Sequence, residues 1–165
     1  MLFGILTIYL TGRYATMQKI IPNLWFAGNA SEAVEFYTAV FTDSKTISTT
    51  YYPEEGLADF QKDFAGKVLT IEFELNGQRF VAINAGDEFK FTEAVSFAVL
   101  CKDQDEIDYY WSKLSAVPSS EQCGWCKDKY GLSWQIVPEN VEELMKKPGA
   151  FEVMMQQKKI ILAEY

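Results

Sequence analysis

Asn29-Ala-Ser-Glu32 and Asp103-Gln-Asp-Glu106 decide how this chain divides. Each places a helix-capping side chain three residues before a glutamate, the sequence signature of a capping box. Each also follows an apolar, strand-like run, Leu24-Trp-Phe-Ala27 in one case and Val95-Ser-Phe-Ala-Val-Leu-Cys101 in the other. Further along, Asn76-Gly-Gln-Arg-Phe-Val-Ala-Ile83 has an echo in Tyr130-Gly-Leu-Ser-Trp-Gln-Ile-Val137. Strand, capped helix, glycine turn and final strand thus occur twice. The repeat predicts internal pseudo-symmetry with a cleft between the halves.

The segments between these landmarks fit the same scheme. Residues 19–27 are expected to form a buried strand. The first helix sets Ala33, Val34, Tyr37, Val40 and Phe41 on one face, the i, i+3, i+4, i+7 pattern. Lys45–Tyr52, rich in Thr and Tyr, predicts a strand. Pro53–Gly66 predicts a surface loop, a reading favoured over a functional lid. Val68–Leu75 alternates strictly, with Leu69, Ile71, Phe73 and Leu75 opposite Val68, Thr70, Glu72 and Glu74. Asn76-Gly77 then suits a two-residue type I′ hairpin that returns through Arg79–Asn84. In the second half, the helix presents Ile107, Tyr110, Trp111 and Leu114, and strands are expected around Cys123–Lys127 and Leu132–Val137. A short helix at Val141–Met145, broken by Pro148-Gly149, precedes a final helix carrying Phe151, Met154, Met155 and Leu162 on one side. Two β-α-β-β-β modules, about residues 17–88 and 89–138, and a helical tail over 139–165 account for the chain after its first sixteen residues.

Composition narrows the function. The 165 residues suffice for one domain with a sizeable core. A formal charge of −8 excludes a nucleic-acid groove, which needs clustered Lys and Arg. The chain has no histidine, which removes the commonest general base and metal ligand. Three cysteines, Cys101, Cys123 and Cys126, are an odd count that fits a reducing cytoplasm better than a secreted disulfide framework. Met1–Leu10 is apolar but too short for a spanning helix and lacks a basic flank ahead of it, so no membrane association is expected. Residues 1–16 are expected to be an upstream mis-start before Met17 or an extra edge segment.

The chain resembles the vicinal oxygen chelate superfamily, the glyoxalase/bleomycin resistance/dioxygenase fold, and within it the PhnB-like branch labelled 3-demethylubiquinone-9 3-methyltransferase. The resemblance is carried by Pro22-Asn-Leu-Trp-Phe26, Asn29, Ala33, Phe36-Tyr37, Phe89-Lys-Phe91 and Ser96-Phe97. Its most specific part is Cys123-Gly-Trp125 with Asp128, Gly131 and Trp134-Gln-Ile-Val-Pro138. It implies an α+β fold in which the paired modules form a cupped mixed sheet with helices outside. It also implies metal ligands, typically His, Glu or Gln, at four inward strand positions, which fall here at Pro22, about Val81, Ser96 and Gln135. Pro and Val cannot coordinate, Ser is a poor neutral ligand, and only Gln135 is a fitting donor. No metal and no cofactor is therefore expected. Nor does a glycine-rich strand-to-helix turn support the methyltransferase label.

What remains is a metal-free cleft for a small, largely apolar or aromatic ligand, with Leu24, Phe26, Arg79, Ser96, Cys123, Trp125 and Gln135 as candidate lining. Arg79 is a candidate bidentate anion holder. Trp125 and Trp134 suit either stacking on a planar ligand or packing in the core. The alternative is a metal-independent lyase or isomerase with Glu72 as proton-transfer group and Gln135 and Ser96 as donors to an oxyanion. A solvated sheet face is the favoured reading of Glu72 and Glu74. Cys123-Gly-Trp-Cys126 is a C-x-x-C whose redox reading is weaker than that of two inert thiols. A metal-dependent glyoxalase or dioxygenase requires a different strand register. A homodimer is expected; the Met154-Met155 and Ile160–Leu162 stripe is read as helix packing, with a dimer seam as the alternative.

Overall fold

The computed structural model describes residues 18–165; the expectations for residues 1–16 lie outside them. In the first module, β1 (Asn23–Ala27), α1 (Ala30–Val40), β2 (Ser44–Tyr51), β3 (Val68–Leu75) and β4 (Gln78–Ala85) give a sheet of order β1-β4-β3-β2. β1 runs parallel to β4, and the other pairs are antiparallel. The second module repeats this order with β5 (Ser96–Cys101), α2 (Gln104–Leu114), β6 (Trp125–Lys127) and β7 (Ser133–Pro138), as β5-β7-β6. Again the first strand is parallel to the last and the last is antiparallel to the one before it. Short helices α3 (Val141–Leu144) and α4 (Ala150–Gln156) follow.

The class is the expected α+β one, with departures in detail. The strands form two sheets, not a continuous one, and the second sheet has three strands where the first has four. The residues that would match β2 form a 3₁₀ turn at Pro118–Ser120 instead, where proline has no N–H to give a ladder. The loop before β3 also contains a 3₁₀ helix, Asp59–Phe64.

The repeated capping motif behaves differently in its two copies. At α2, Asp103 Oδ1 accepts from Glu106 N at 2.9 Å, and Glu106 Oε2 accepts from Lys102 N at 2.8 Å. At α1 the Asn29 side chain caps nothing. The first helical N–H, on Ala30, donates to Oδ1 of the buried Asn84 at 3.1 Å, so β4 caps the helix. Glu32 turns outward to Lys129 Nζ and Tyr130 OH, at 3.0 and 2.9 Å, and these partners hold its carboxyl below the usual range.

The predicted helix faces build the core. Ala33, Val34, Tyr37, Val40 and Phe41 are buried, as are Ile107, Tyr110 and Leu114. Tyr37 stacks on Phe73 of β3, centroids 6.4 Å apart, and lies 5.7 Å from Trp134 of β7. Phe41 sits 5.4 Å from Trp134 and 5.2 Å from Tyr110. Tyr109 OH of α2 donates to Val40 O of α1 at 2.8 Å. Helix-facing residues of both sheets thus merge into one core cluster. Each sheet has an inner side toward that core and an outer side that is only partly covered.

Asn76 and Gly77 both have positive φ, as a type I′ hairpin requires. Cys123 and Gly124 form a second turn of this kind, at φ 52° and 83°, between Gln122 and Trp125. A side chain on Gly124 would place Cβ 2.9 Å from Ile136 O, so only glycine fits there. The tail closes over this turn, as Cys123 N donates to Gln157 O and Gly124 N to Lys158 O. The expected long final helix stops at Gln156, and Leu162 belongs to a separate 3₁₀ turn. Phe151 and Met155 of that stripe are exposed.

Candidate functional site

Asp128 is the most constrained polar residue of the inner side. It directly follows β6, is 1% exposed, and accepts four hydrogen bonds. Tyr37 OH and Trp134 Nε1 donate to Oδ2, each at 2.8 Å, while the backbone N–H groups of Tyr130 and Leu132 donate to Oδ1 at 2.8 and 3.0 Å. Burial pushes the carboxyl above the ordinary carboxylate range against the pull of these donors. The same burial raises the Tyr37 phenol. Because Tyr37 belongs to α1, the cluster fastens the modules to each other. With its acceptor capacity consumed, Asp128 is a structural latch with no lone pair left for a ligand.

Between the modules lies a cavity of about 590 Å³, within the size range of small-molecule sites. Its inner wall is the buried edge of the core: Phe41, Leu75, Phe80, Val99, Tyr110 and Trp134. The chain before β1 contributes Pro22, and strand β5 contributes Phe97 through Leu100. The polar groups on the lining are few: Asn76 and Gln78 at the β3–β4 hairpin, and Glu106 on the first turn of α2. Burial holds the Tyr110 phenol above its ordinary pKa. An apolar, aromatic wall with isolated polar groups matches the usual make-up of a ligand pocket.

The outer strand faces are a second locus. Gln135 Nε2 donates to Ser96 Oγ at 2.8 Å, and Trp125 is the cross-strand neighbour of Gln135. On the other sheet, Glu72 is ion-paired with Arg79, both partly covered, and Lys45 lies 3.4 Å from Glu74. Among the described residues the Ser133 hydroxyl, which is buried, finds no partner.

The residues singled out from the sequence therefore fall in different places. Leu24 and Phe26 are core residues, 6% and 2% exposed, on the inner side of β1. Ser96, Gln135 and Trp125 lie together on the outer face of the second sheet, and Glu72 and Arg79 lie together on that of the first. None of these lines the inter-module cavity, although Trp134 does. Cys123 stands at its turn, with Sγ 3.6 Å from Met155 Sδ. Cys126 is 1% exposed, and burial pushes its thiol to about 12, so a thiolate is disfavoured there. Sequence reasoning expected a cleft between the halves but assigned Phe41, Leu75 and Tyr110 to the core and lined the cleft with other residues. An apolar periodicity identifies a helix or strand face but not whether packing closes over it.

The four positions at which the resemblance would set metal ligands do not suit a metal. Pro22 lines the cavity, the backbone carbonyl of Pro22 accepts from Val81 N, and Ser96 is bonded to Gln135. Two hydrocarbon side chains, a hydroxyl and an amide are a poor donor set for a transition metal. Among the described residues no three His, Cys, Asp or Glu side chains converge. The strand-to-helix turns, Gly28-Asn29 and Lys102-Asp103, carry one glycine between them, which does not fit close backbone approach to a nucleoside cofactor.

A profile described as 3-demethylubiquinone-9 3-methyltransferase matches residues 18–137. Among solved structures, the chain is similar to a Bacillus cereus protein described provisionally as a 3-demethylubiquinone-9 3-methyltransferase, PhnB protein. That protein is 38% identical, with a TM-score of 0.58, over 73% of this chain and 99% of its own length. A Pseudomonas aeruginosa protein, 16% identical with a TM-score of 0.50 over 72% of this chain and 96% of its own, shares the fold. A search of curated proteins finds no match.

Proposed function

The chain belongs to the 3-demethylubiquinone-9 3-methyltransferase family, in its PhnB-like branch, and we propose that it binds a small, largely apolar or aromatic metabolite between its modules. The observation that carries this reading is the inter-module cavity of about 590 Å³, walled by Phe41, Phe80, Phe97, Tyr110 and Trp134. Covering such a wall with a ring of matching shape removes apolar surface from water at about 25 cal/mol per Å². Binding is favoured over proton-transfer catalysis because Glu72, the sequence's candidate base, is ion-paired with Arg79 and stands outside the cavity.

Several features favour the partners expected from the sequence. The charge of −8 disfavours nucleic acid. No helix among the described residues is long and apolar enough to cross a membrane. Free thiols at Cys101, Cys123 and Cys126 fit a reducing cytoplasm. A homodimer would cover exposed apolar side chains such as Val95, 62% exposed just before β5.

Native mass spectrometry of freshly purified protein tests both statements. A dimer carrying an organic adduct, released on denaturation, is the expected result. A stoichiometric transition metal on the folded protein would contradict the metal-free reading.

A further inference from the structure

We infer that the inter-module cavity selects a ring bearing a protonated amine over the matching carboxylate, with Glu106 as the residue that sets the preference. This rests on the cavity being the ligand site.

Glu106 is the one carboxylate on the lining, and neither Lys nor Arg contributes to it. Its position is fixed from two directions. Its backbone N–H donates to Asp103 Oδ1, and its Oε2 accepts from Lys102 N. These bonds pin the carboxylate but do not neutralise it. Among the described residues Glu106 forms no ion pair, whereas Glu32, Glu72, Glu74, Glu93, Glu121 and Glu143 each meet a Lys or Arg. Its charge therefore acts on whatever enters the cavity. The surroundings add to that field. A neighbouring depression of about 360 Å³ shares Glu106 and Tyr110 with the cavity and carries Asp103 and Asp105 against Lys102.

The apolar wall works in the same direction. Phe41, Phe97, Tyr110 and Trp134 line the space, and a cation that comes within about 6 Å of the face of one of these rings is attracted by its quadrupole. A ligand carboxylate would meet a negative side chain with no Lys or Arg on the lining to compensate. A neutral ring keeps the apolar contacts and gains nothing from the charge.

The test uses the full chain and three probes of one shape: 2-naphthylmethylamine, 2-naphthylmethanol and 2-naphthoate, titrated by calorimetry at neutral pH. The amine is expected to bind about ten-fold more tightly than the alcohol, and 2-naphthoate more weakly than both. In Glu106→Gln, where glutamine keeps the capping geometry, the amine-to-alcohol affinity ratio should fall to about one. In the unmodified protein, raising salt should narrow the amine-to-alcohol ratio, which keeps the test independent of the variant's folding. If the alcohol binds but the amine binds no better, or if the preference survives Glu106→Gln, the charge selection is wrong and the cavity reading stands. If neither amine nor alcohol binds, the cavity reading fails and takes this inference with it.

Discussion

The inner and outer sides of the two sheets are built from the same strands but to opposite plans. On the inner side of β3, Ile71, Phe73 and Leu75 are buried in the core; on its outer side Glu72 and Glu74 are ion-paired with Arg79 and Lys45. On the inner side of the second sheet, Trp134 floors a cavity; on the outer side, Gln135 is satisfied by Ser96. Outer polar groups are largely paired with one another, whereas the cavity lining sets an apolar wall beside one carboxylate, Glu106, that has no counter-ion. The lesson is that three of the four positions emphasised by the superfamily resemblance, Val81, Ser96 and Gln135, lie outside the ligand-sized cavity, which only Pro22 among them lines.

The largest effect expected from breaking this arrangement is at the latch. Asp128→Ala would strand Tyr37 OH, Trp134 Nε1 and two backbone N–H groups, and should cost about 3–5 kcal/mol in urea unfolding. Tyr37→Phe, which removes one of the donors, should cost about 1–2 kcal/mol. Next comes the cavity itself. Ala98 is exposed on β5 and belongs to the lining, so Ala98→Trp should lower 2-naphthylmethanol affinity about ten-fold while changing stability by about 0.5 kcal/mol or less. The outer face should respond least. Gln135→Ala and Ser96→Ala are each expected to change that affinity by less than about two-fold, measured by the same calorimetry.

The thiols sharpen the contrast by a separate route. Cys101 and Cys126 are 0% and 1% exposed, and burial raises each from the ordinary 9.0 to about 12. Both should resist a thiol reagent until the protein unfolds, while Cys123, partly exposed at its turn, reacts in the folded state. The linkage has a definite sign. A raised folded pKa contributes stability that is complete below the unfolded value near 9.0 and is lost as pH climbs toward about 12. Denaturation profiles between those limits should therefore flatten in Cys126→Ala.

Much of the fold was legible because periodicity reports which side of an element is buried. The alternation in Val68–Leu75, the faces of both helices and the Asn76-Gly77 turn all reflect local chemistry. The second module's lack of a counterpart to β2 was legible locally, as a turn over Val117–Gln122 where Pro118 offers no ladder N–H, and ran against the count of two β-α-β-β-β modules. The cap of α1 was beyond local reading altogether: Asn84 reaches it from a strand fifty-four residues away. For the same reason the sequence grouped Leu24 and Phe26 with Ser96 and Gln135. Face assignments within each strand are local, but which faces of two modules share a space is set by how Tyr37, Trp134 and Asp128 lock the modules together.

Methyl NMR with 2-naphthylmethanol tests the central claim most directly, because valine and leucine reporters lie on both sides of each sheet. The account predicts that the largest shifts fall on Leu75 and Val99, buried residues that line the cavity from the core side. Largest shifts on Val81 and Val137, with Leu75 and Val99 unmoved, would contradict it and return the site to the outer strand faces.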